Sequence, residues 1–191
     1  MSRPVMSADE LRVACLIAGR TPPPWLDPDL ADSDRMVADV TAGRALVARC
    51  FGVVCRDVLA LAPGARRSLA PLLFGDLIVE VAVGERRHLV AEGEAPPPLL
   101  LSERQPDIWA ARAAEPGTAA GVVLRLVEGA PAGMVRVVRR LAGDGVELGE
   151  VAWMRVGDGF RVGDVHGDEA VMVGESELRE MVRALSAGER G

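Results

Sequence analysis

Apolar positions along the chain change their spacing twice, from a helical period to an alternating one and then to a mixture of both. Ser7-Ala-Asp-Glu10 has the form of a capping box, and Leu11, Cys15 and Ala18 follow at helical spacing until Gly19 ends the element. Thr21-Pro-Pro-Pro-Trp-Leu-Asp-Pro28 is too proline-rich for helix or central strand, so it predicts a stiff extended connection pinned by Trp25 and Leu26. A second helix is expected over 33–51. Its apolar stripe is Met36, Val37, Val40, Leu46, Val47, Cys50 and Phe51, which places Cys15 and Cys50 on buried faces. A short helix is expected over 56–61, and Pro63 suits the first turn of another running toward Leu73.

At Asp76 the pattern turns to strands. Leu77–Val83 and His88–Ala91 read as a hairpin across Gly84-Glu85, with Leu77, Val79, Val81 and Val83 forming one apolar row. Pro96-Pro-Pro98 leads into a short strand, Leu99–Leu101, at an edge or a strand start. Pro106 is expected to open a short helix with Ile108 and Trp109, and Thr118 to cap one that stops at Gly129, with a strand as the competing reading of that Val-rich segment. Residues 134–141 are ambiguous between helix and strand by periodicity, but Gly133, Gly143 and Gly145 bracket them like a strand; Val146–Val156 and Phe160–Val165 pair across Gly157-Asp158-Gly159, and 170–173 adds a last strand. A final helix starts near Ser176, with 188–191 as a frayed tail. The whole predicts one α+β domain over 1–191: a mainly antiparallel central sheet flanked by helices, with the helix at 33–51 packed on the sheet.

Composition narrows the function more than it defines it. The 191 residues are 49% hydrophobic and 26% charged, with a net charge of −6, enough for a core without disulfides or metal. An acidic chain is a poor non-specific nucleic-acid binder, and no apolar run reaches the ~20 residues of a membrane span. The N-terminus has no signal-peptide pattern, so a cytoplasmic protein with reduced thiols is expected. All 22 positive charges are Arg, a bias that follows from GC-rich coding and supplies rigid forks for carboxylates.

Catalytic motifs are missing. Gly157-Asp-Gly159-Phe-Arg-Val-Gly163 has the wrong spacing and context for a dinucleotide loop. A chain without Lys contains no P-loop, and no Gly-x-Ser-x-Gly elbow occurs. His88 follows two arginines, which disfavour its charged form, and His166 sits in the polar turn Asp164-Val-His-Gly-Asp168. Neither histidine stands at ligand spacing from a cysteine. No cofactor, no metal and no catalytic residue is therefore assigned, and an enzyme built on Asp164, His166 or Asp168 is the weakest of three readings. Arginine clusters are the remaining outliers. Arg86 and Arg87 at the hairpin tip, with Arg136, Arg139 and Arg140 on the later strand, are the candidate partner contacts; the competing reading has them balance Glu85, Asp144 and Glu147.

Several segments together resemble the ESX (type VII) secretion-associated EspG family: Ser7-Ala-Asp-Glu-Leu-Arg12, Ala18-Gly19, Pro-Pro-Pro-Trp-Leu26 and Gly43-Arg-Ala-Leu-Val-Ala-Arg49. The order of the hairpin 77–91, the segment 153–160 and the helix 176–187 is similar too, and Cys50 stands where the family has glycine. The resemblance implies a cytosolic, non-enzymatic chaperone of an actinobacterial type VII system that binds the helical PPE partner of a PE–PPE heterodimer. The alternative is a small-molecule-binding α+β domain with an apolar pocket between sheet and helix, which converging arginines would favour. An exposed apolar patch would instead favour the chaperone.

Overall fold

In the computed structural model, residues 4–26, 30–93, 97–114, 117–140, 145–163 and 170–187 are described, with backbone only at 139, 140 and 145–148. The chain forms a single α+β domain around a nine-stranded antiparallel sheet, as the sequence predicts. Strand β1 (Val5–Ser7) leads into α1 (Ala8–Ile17), a 3-10 turn (Pro24–Leu26) and α2 (Asp32–Ala48). A two-stranded hairpin follows, β2 (Gly52–Cys55) and β3 (Val58–Leu61), then α3 (Pro63–Ser68) and α4 (Ala70–Phe74). The strands β4 (Leu77–Val83), β5 (Arg86–Glu92), β6 (Leu99–Gln105) and β7 (Ile108–Ala113) form a meander. After α5 (Ala119–Val127) come β8 (Ala132–Arg140), β9 (Gly145–Val156), β10 (Gly159–Val162), β11 (Val171–Val173) and α6 (Glu175–Ser186). The sheet order is β1-β7-β6-β5-β4-β8-β9-β10-β11.

Local chemistry accounts for most boundaries. Ser7 Oγ accepts from the Glu10 N–H at 3.1 Å while Glu10 accepts from the Ser7 N–H at 2.7 Å, so the capping box is closed. Thr118 Oγ1 caps α5 through the Gly121 N–H.

Three expected elements differ. Residues 56–61 are not a helix: Arg56 and Asp57 both adopt positive φ (49° and 63°), the geometry that joins two strands in register. Pro106 does not open a helix either. It leads a two-residue turn closed by Asp107 at φ 62°, and Ile108 and Trp109 belong to β7. A proline favours the first turn of a helix and the first corner of a reverse turn equally, so the residue alone does not decide. Strand β6 is longer than expected and lies between β5 and β7, and Pro97 and Pro98 stand directly before its first residue, the strand-start placement that the prolines allow.

The sheet is covered on opposite faces by two helical layers. On the first face, Ile78, Leu89, Leu99, Leu101 and Trp109 pack with residues of α1, α2, α4 and the 3-10 turn. On the second, Val79, Val81, Val90, Val135, Val137 and Trp153 pack with α5 and α6. The row Leu77, Val79, Val81, Val83 faces this second layer, as its alternation predicts. Helix α2 does not lie on the sheet. It packs mainly on α1 and β2, and that displacement shapes the site below.

Candidate functional site

The stripe that reads as the core face of α2 points outward. Met36 and Val37 are 68% and 66% exposed, and Val40 and Val47 are exposed as well; of that stripe within the helix only Leu46 is buried. Cys50 lies beyond the helix at φ 59° and is exposed, as is Cys55, whereas Cys15 is buried as expected.

The seam that α2 and its C-cap turn toward α1 is a different one: Asp39, Ala42, Leu46 and Arg49, spaced three, four and three residues apart, with Ala42 and Leu46 buried. Ala42 and Leu46 supply the apolar contacts, and the two charged ends are matched by α1. Arg12, whose side chain is 1% exposed, reaches Asp39 at 2.8 Å and Asp9 at 3.2 Å. Arg49 donates to both oxygens of Glu10, at 2.8 and 3.0 Å, and to the Val5 carbonyl. Rotating α2 to bury Met36, Val40 and Val47 would separate both pairs and strand the Arg12 guanidinium away from water without Asp39, a cost that outweighs a few buried methyl groups.

The outward stripe meets the β2–β3 hairpin at Val54, which is also exposed. Between helix and hairpin lies an open groove of ≈ 590 Å³. Val40, Gly43 and Val47 line it from α2 and Val54 and Leu59 from the hairpin, with Asp39 and Arg44 also on its wall. Gly43 brings the two walls close, because a Cβ there would stand 3.1 Å from Leu59 Cδ2. Contiguous apolar surface of this kind, rimmed by single charges, is the form of a protein-docking groove.

The arginines singled out from the sequence do not form one free surface. Arg87 and Arg136 share a sheet face on either side of β4, and both are engaged internally. Arg87 forks onto Glu103, with Nε to Oε2 at 2.7 Å, and its guanidinium lies 5.9 and 5.8 Å from the ring centres of Trp25 and Trp109. Hydrogen bonding to Glu103 raises the Arg87 pKa further, and the same bond holds the Glu103 carboxyl below the usual range. Arg136 pairs with Glu150 at 2.8 Å and stands 3.6 Å from buried Glu80, which also accepts from the Trp25 N–H. Arg86 is exposed and projects to the opposite face from Arg87. Arg139 and Arg140 occupy the end of β8, opposite Val146 and Gly145 of β9, and their side chains lie outside the described residues. Arg87 thus pairs with Glu103, and Arg136 with Glu150 and Glu80, while Asp144 and the side chain of Glu147 lie outside the described residues.

His88 faces the second side of the sheet, where Nδ1 lies 3.0 Å from Ser102 Oγ. Burial lowers its pKa, and Arg86, Arg112 and Arg104 lower it further against a smaller opposing effect of Glu103. Asp164, His166 and Asp168 lie outside the described residues. Among the described residues no three His, Cys, Asp or Glu side chains gather where they could hold a metal ion, and no helix is long and apolar enough to cross a membrane. No protein-family model matches the chain, and no curated protein matches it either.

Proposed function

We propose that this protein is a non-enzymatic, stoichiometric adaptor that holds an apolar helical segment of a partner protein in the groove between α2 and the β2–β3 hairpin. The observation that supports the reading is the outward stripe of α2: Met36, Val37, Val40 and Val47 are presented to solvent, with exposed Val54 across the groove, although a more polar seam of the same helix packs on α1. An amphipathic partner helix laid along the groove would cover this surface, each buried Val or Met contributing about 1.5–3 kcal/mol before the cost of association. Asp39 and Arg44 would set its direction.

The sequence resemblance supplies the partner class: a helical secretion substrate of the PE–PPE type, captured in the cytoplasm of an actinobacterium with a type VII system. Holding such a substrate needs no turnover, no cofactor, no nucleic acid and no insertion into a membrane. It needs a dry apolar surface on a folded scaffold.

The test is a calorimetric titration against the PE–PPE-like heterodimer encoded nearest to this chain, comparing wild type with Val40→Asp/Val54→Asp. Both positions are exposed, so the variant keeps its fold. One-to-one binding weakened at least tenfold, about 1.4 kcal/mol, is the expected result. Equal affinity of the two proteins removes the groove from the interface, and no binding by wild type removes this partner class.

A further inference from the structure

Arginines on the two faces of the sheet have different surroundings. On the first face Arg87 has Glu103, and Arg136 has Glu150 and Glu80. On the second face, α5 and α6 pack with Val79, Val81, Val90 and Leu100, and beyond them Arg86, Arg104 and Arg112 of β5, β6 and β7 are exposed. Among the described residues none of these three forms a salt bridge, although the chain carries a net charge of −6.

Strand geometry sets their spacing. His88 of β5 pairs with Ser102 of β6, and Ser102 with Ala110 of β7, so these three form one row across the face. Arg86 and Arg104 lie two residues beyond His88 and Ser102 on one side of that row, and Arg112 lies two residues from Ala110 on the other. The register therefore carries Arg86 and Arg104 toward one another, and facing like charges cost stability while nothing lies between them. Successive rows repeat at about 6.8 Å and strands at about 4.8 Å, which separates the backbones of Arg86 and Arg112 by roughly 17 Å. One small anion meets one or two of these guanidiniums. An extended chain with a carboxylate at every second residue has the repeat of the rows and meets all three. Nucleic acid and lipid fit less well. Trp109 of β7 is turned to the first face, so it offers no ring to a base, and the row His88, Ser102, Ala110 has no large apolar side chain to enter a bilayer.

We propose that the open second face of β5–β7 docks an extended acidic polypeptide segment, its carboxylates held by Arg86, Arg104 and Arg112 and its backbone lying over His88 and Ser102. This face is on the other side of the sheet from α1 and α2, so the proposal does not rest on the adaptor reading. His88 reports occupancy from within the site. The charged groups acting on it are Arg86 on its own strand, Arg112 on β7, and Arg104 and Glu103 on β6; Val81 faces it from β4, and Ser102 Oγ lies 3.0 Å from Nδ1. Carboxylates brought among the three arginines offset them and raise the pH at which the ring titrates.

Calorimetry at neutral pH and low ionic strength tests the proposal with an acetylated ten-residue peptide alternating Glu and Ser. The comparisons are the same peptide with Gln for Glu, free glutamate, an oligothymidylate and phosphatidylglycerol vesicles. One acidic peptide per chain is expected, with the Gln peptide and glutamate at least tenfold weaker. In NMR titrations the His88 signal, assigned by its loss in His88→Gln, should titrate at higher pH in the complex. Arg86→Ser/Arg112→Ser should weaken the peptide at least tenfold. Arg66→Ser/Arg67→Ser removes the same charge from exposed positions on α3 and should weaken it far less. Equal binding of the Gln peptide or of glutamate, equal losses in the two variants, an unmoved His88, or no binding by wild type overturns the proposal. Tighter binding of the oligonucleotide or the vesicles overturns it in favour of a nucleic acid or a membrane.

Discussion

Asp39→Asn should destabilise the protein more than Arg12→Met, although both substitutions remove the same ion pair. The Arg12 side chain is 1% exposed, whereas those of Asp39 and Asp9 are 33% and 42% exposed. At 2.8 Å the gross attraction at an effective dielectric of 20 is about 6 kcal/mol, and desolvation of the guanidinium offsets most of it. Removing the Asp39 charge leaves Arg12 buried, with Asp9 at 3.2 Å as its remaining counter-charge and its Nε without a hydrogen-bond partner. Breaking a fully buried pair costs about 3–5 kcal/mol and an exposed one ~0–1. With one counter-charge retained, about 2–3 kcal/mol is expected, or a fall of ~5–10 °C in Tm for a chain of this size. Arg12→Met keeps the packing stem and leaves two carboxylates whose side chains are partly exposed, although Asp39 Oδ1 itself is buried, so its cost should be about 1 kcal/mol.

The two substitutions must then be strongly non-additive. In the Asp39→Asn background Arg12→Met removes the stranded cation and should restore about 1–2 kcal/mol. Urea denaturation followed by circular dichroism measures all four proteins, with m-values checked for constancy. Three results would refute the reasoning: Asp39→Asn within 0.5 kcal/mol of wild type, by the ~1 kcal/mol scale of ordinary substitutions; Arg12→Met costlier than Asp39→Asn; or no rescue in the double variant.

Further outcomes follow from other contacts. Because the Arg87 hydrogen bond lowers the Glu103 pKa, the pair contributes stability that is present above the unfolded Glu value of about 4.3 and is lost as pH falls through the folded value. Arg87→Met should cost about 1–2 kcal/mol at pH 7, after allowance for the 36% exposure of Arg87, and should flatten acid unfolding below pH ~4.3. His88 is also depressed, so the unfolded chain takes up its proton first; stability should decline as pH drops below about 6.5 until the folded value is passed, and His88→Gln should remove that slope. Gly133→Ala would place a Cβ 2.6 Å from the Trp153 ring and 2.7 Å from the Ala82 carbonyl, and should cost about 1–3 kcal/mol in thermal melts, more than Ala at the open position Gly64.

Alternation made the β4–β5 hairpin legible, turn glycines the β9–β10 pair and the strand character of β8, and capping residues located the starts of α1 and α5. Strict two-residue periods and Ser or Thr caps are local signals, so neighbours far away in sequence do not alter them. The elements at 56–61 and 106–109 were not legible because their determinants are backbone angles. Arg56, Asp57 and Asp107 adopt positive φ, which none of these residue types requires. The arginines were correctly seen as unusual, but sequence order hid their partners: Glu103 lies across β5–β6 from Arg87, and Glu80 and Glu150 flank Arg136 from both neighbouring strands.

The orientation of α2 is the instructive failure, and it was recoverable. Two stripes compete on that helix, one rich in Val and Met, the other holding Asp39, Ala42, Leu46 and Arg49. Hydrophobicity alone selects the first. Helix α1, however, carries Glu10 and Arg12 on turns that are buried with Leu11 and Ala14, and charges placed there need partners of opposite sign. Asp39 and Arg49, ten residues apart on one seam, meet that need; no arrangement burying the apolar stripe does so. The polar seam therefore goes inward because unpaired buried charge costs more than exposed valine. Met36, Val40 and Val47 then remain in water, where on a stable monomer they contribute nothing to folding. An apolar stripe kept outside by the charges beneath it is the surface on which the proposed docking rests.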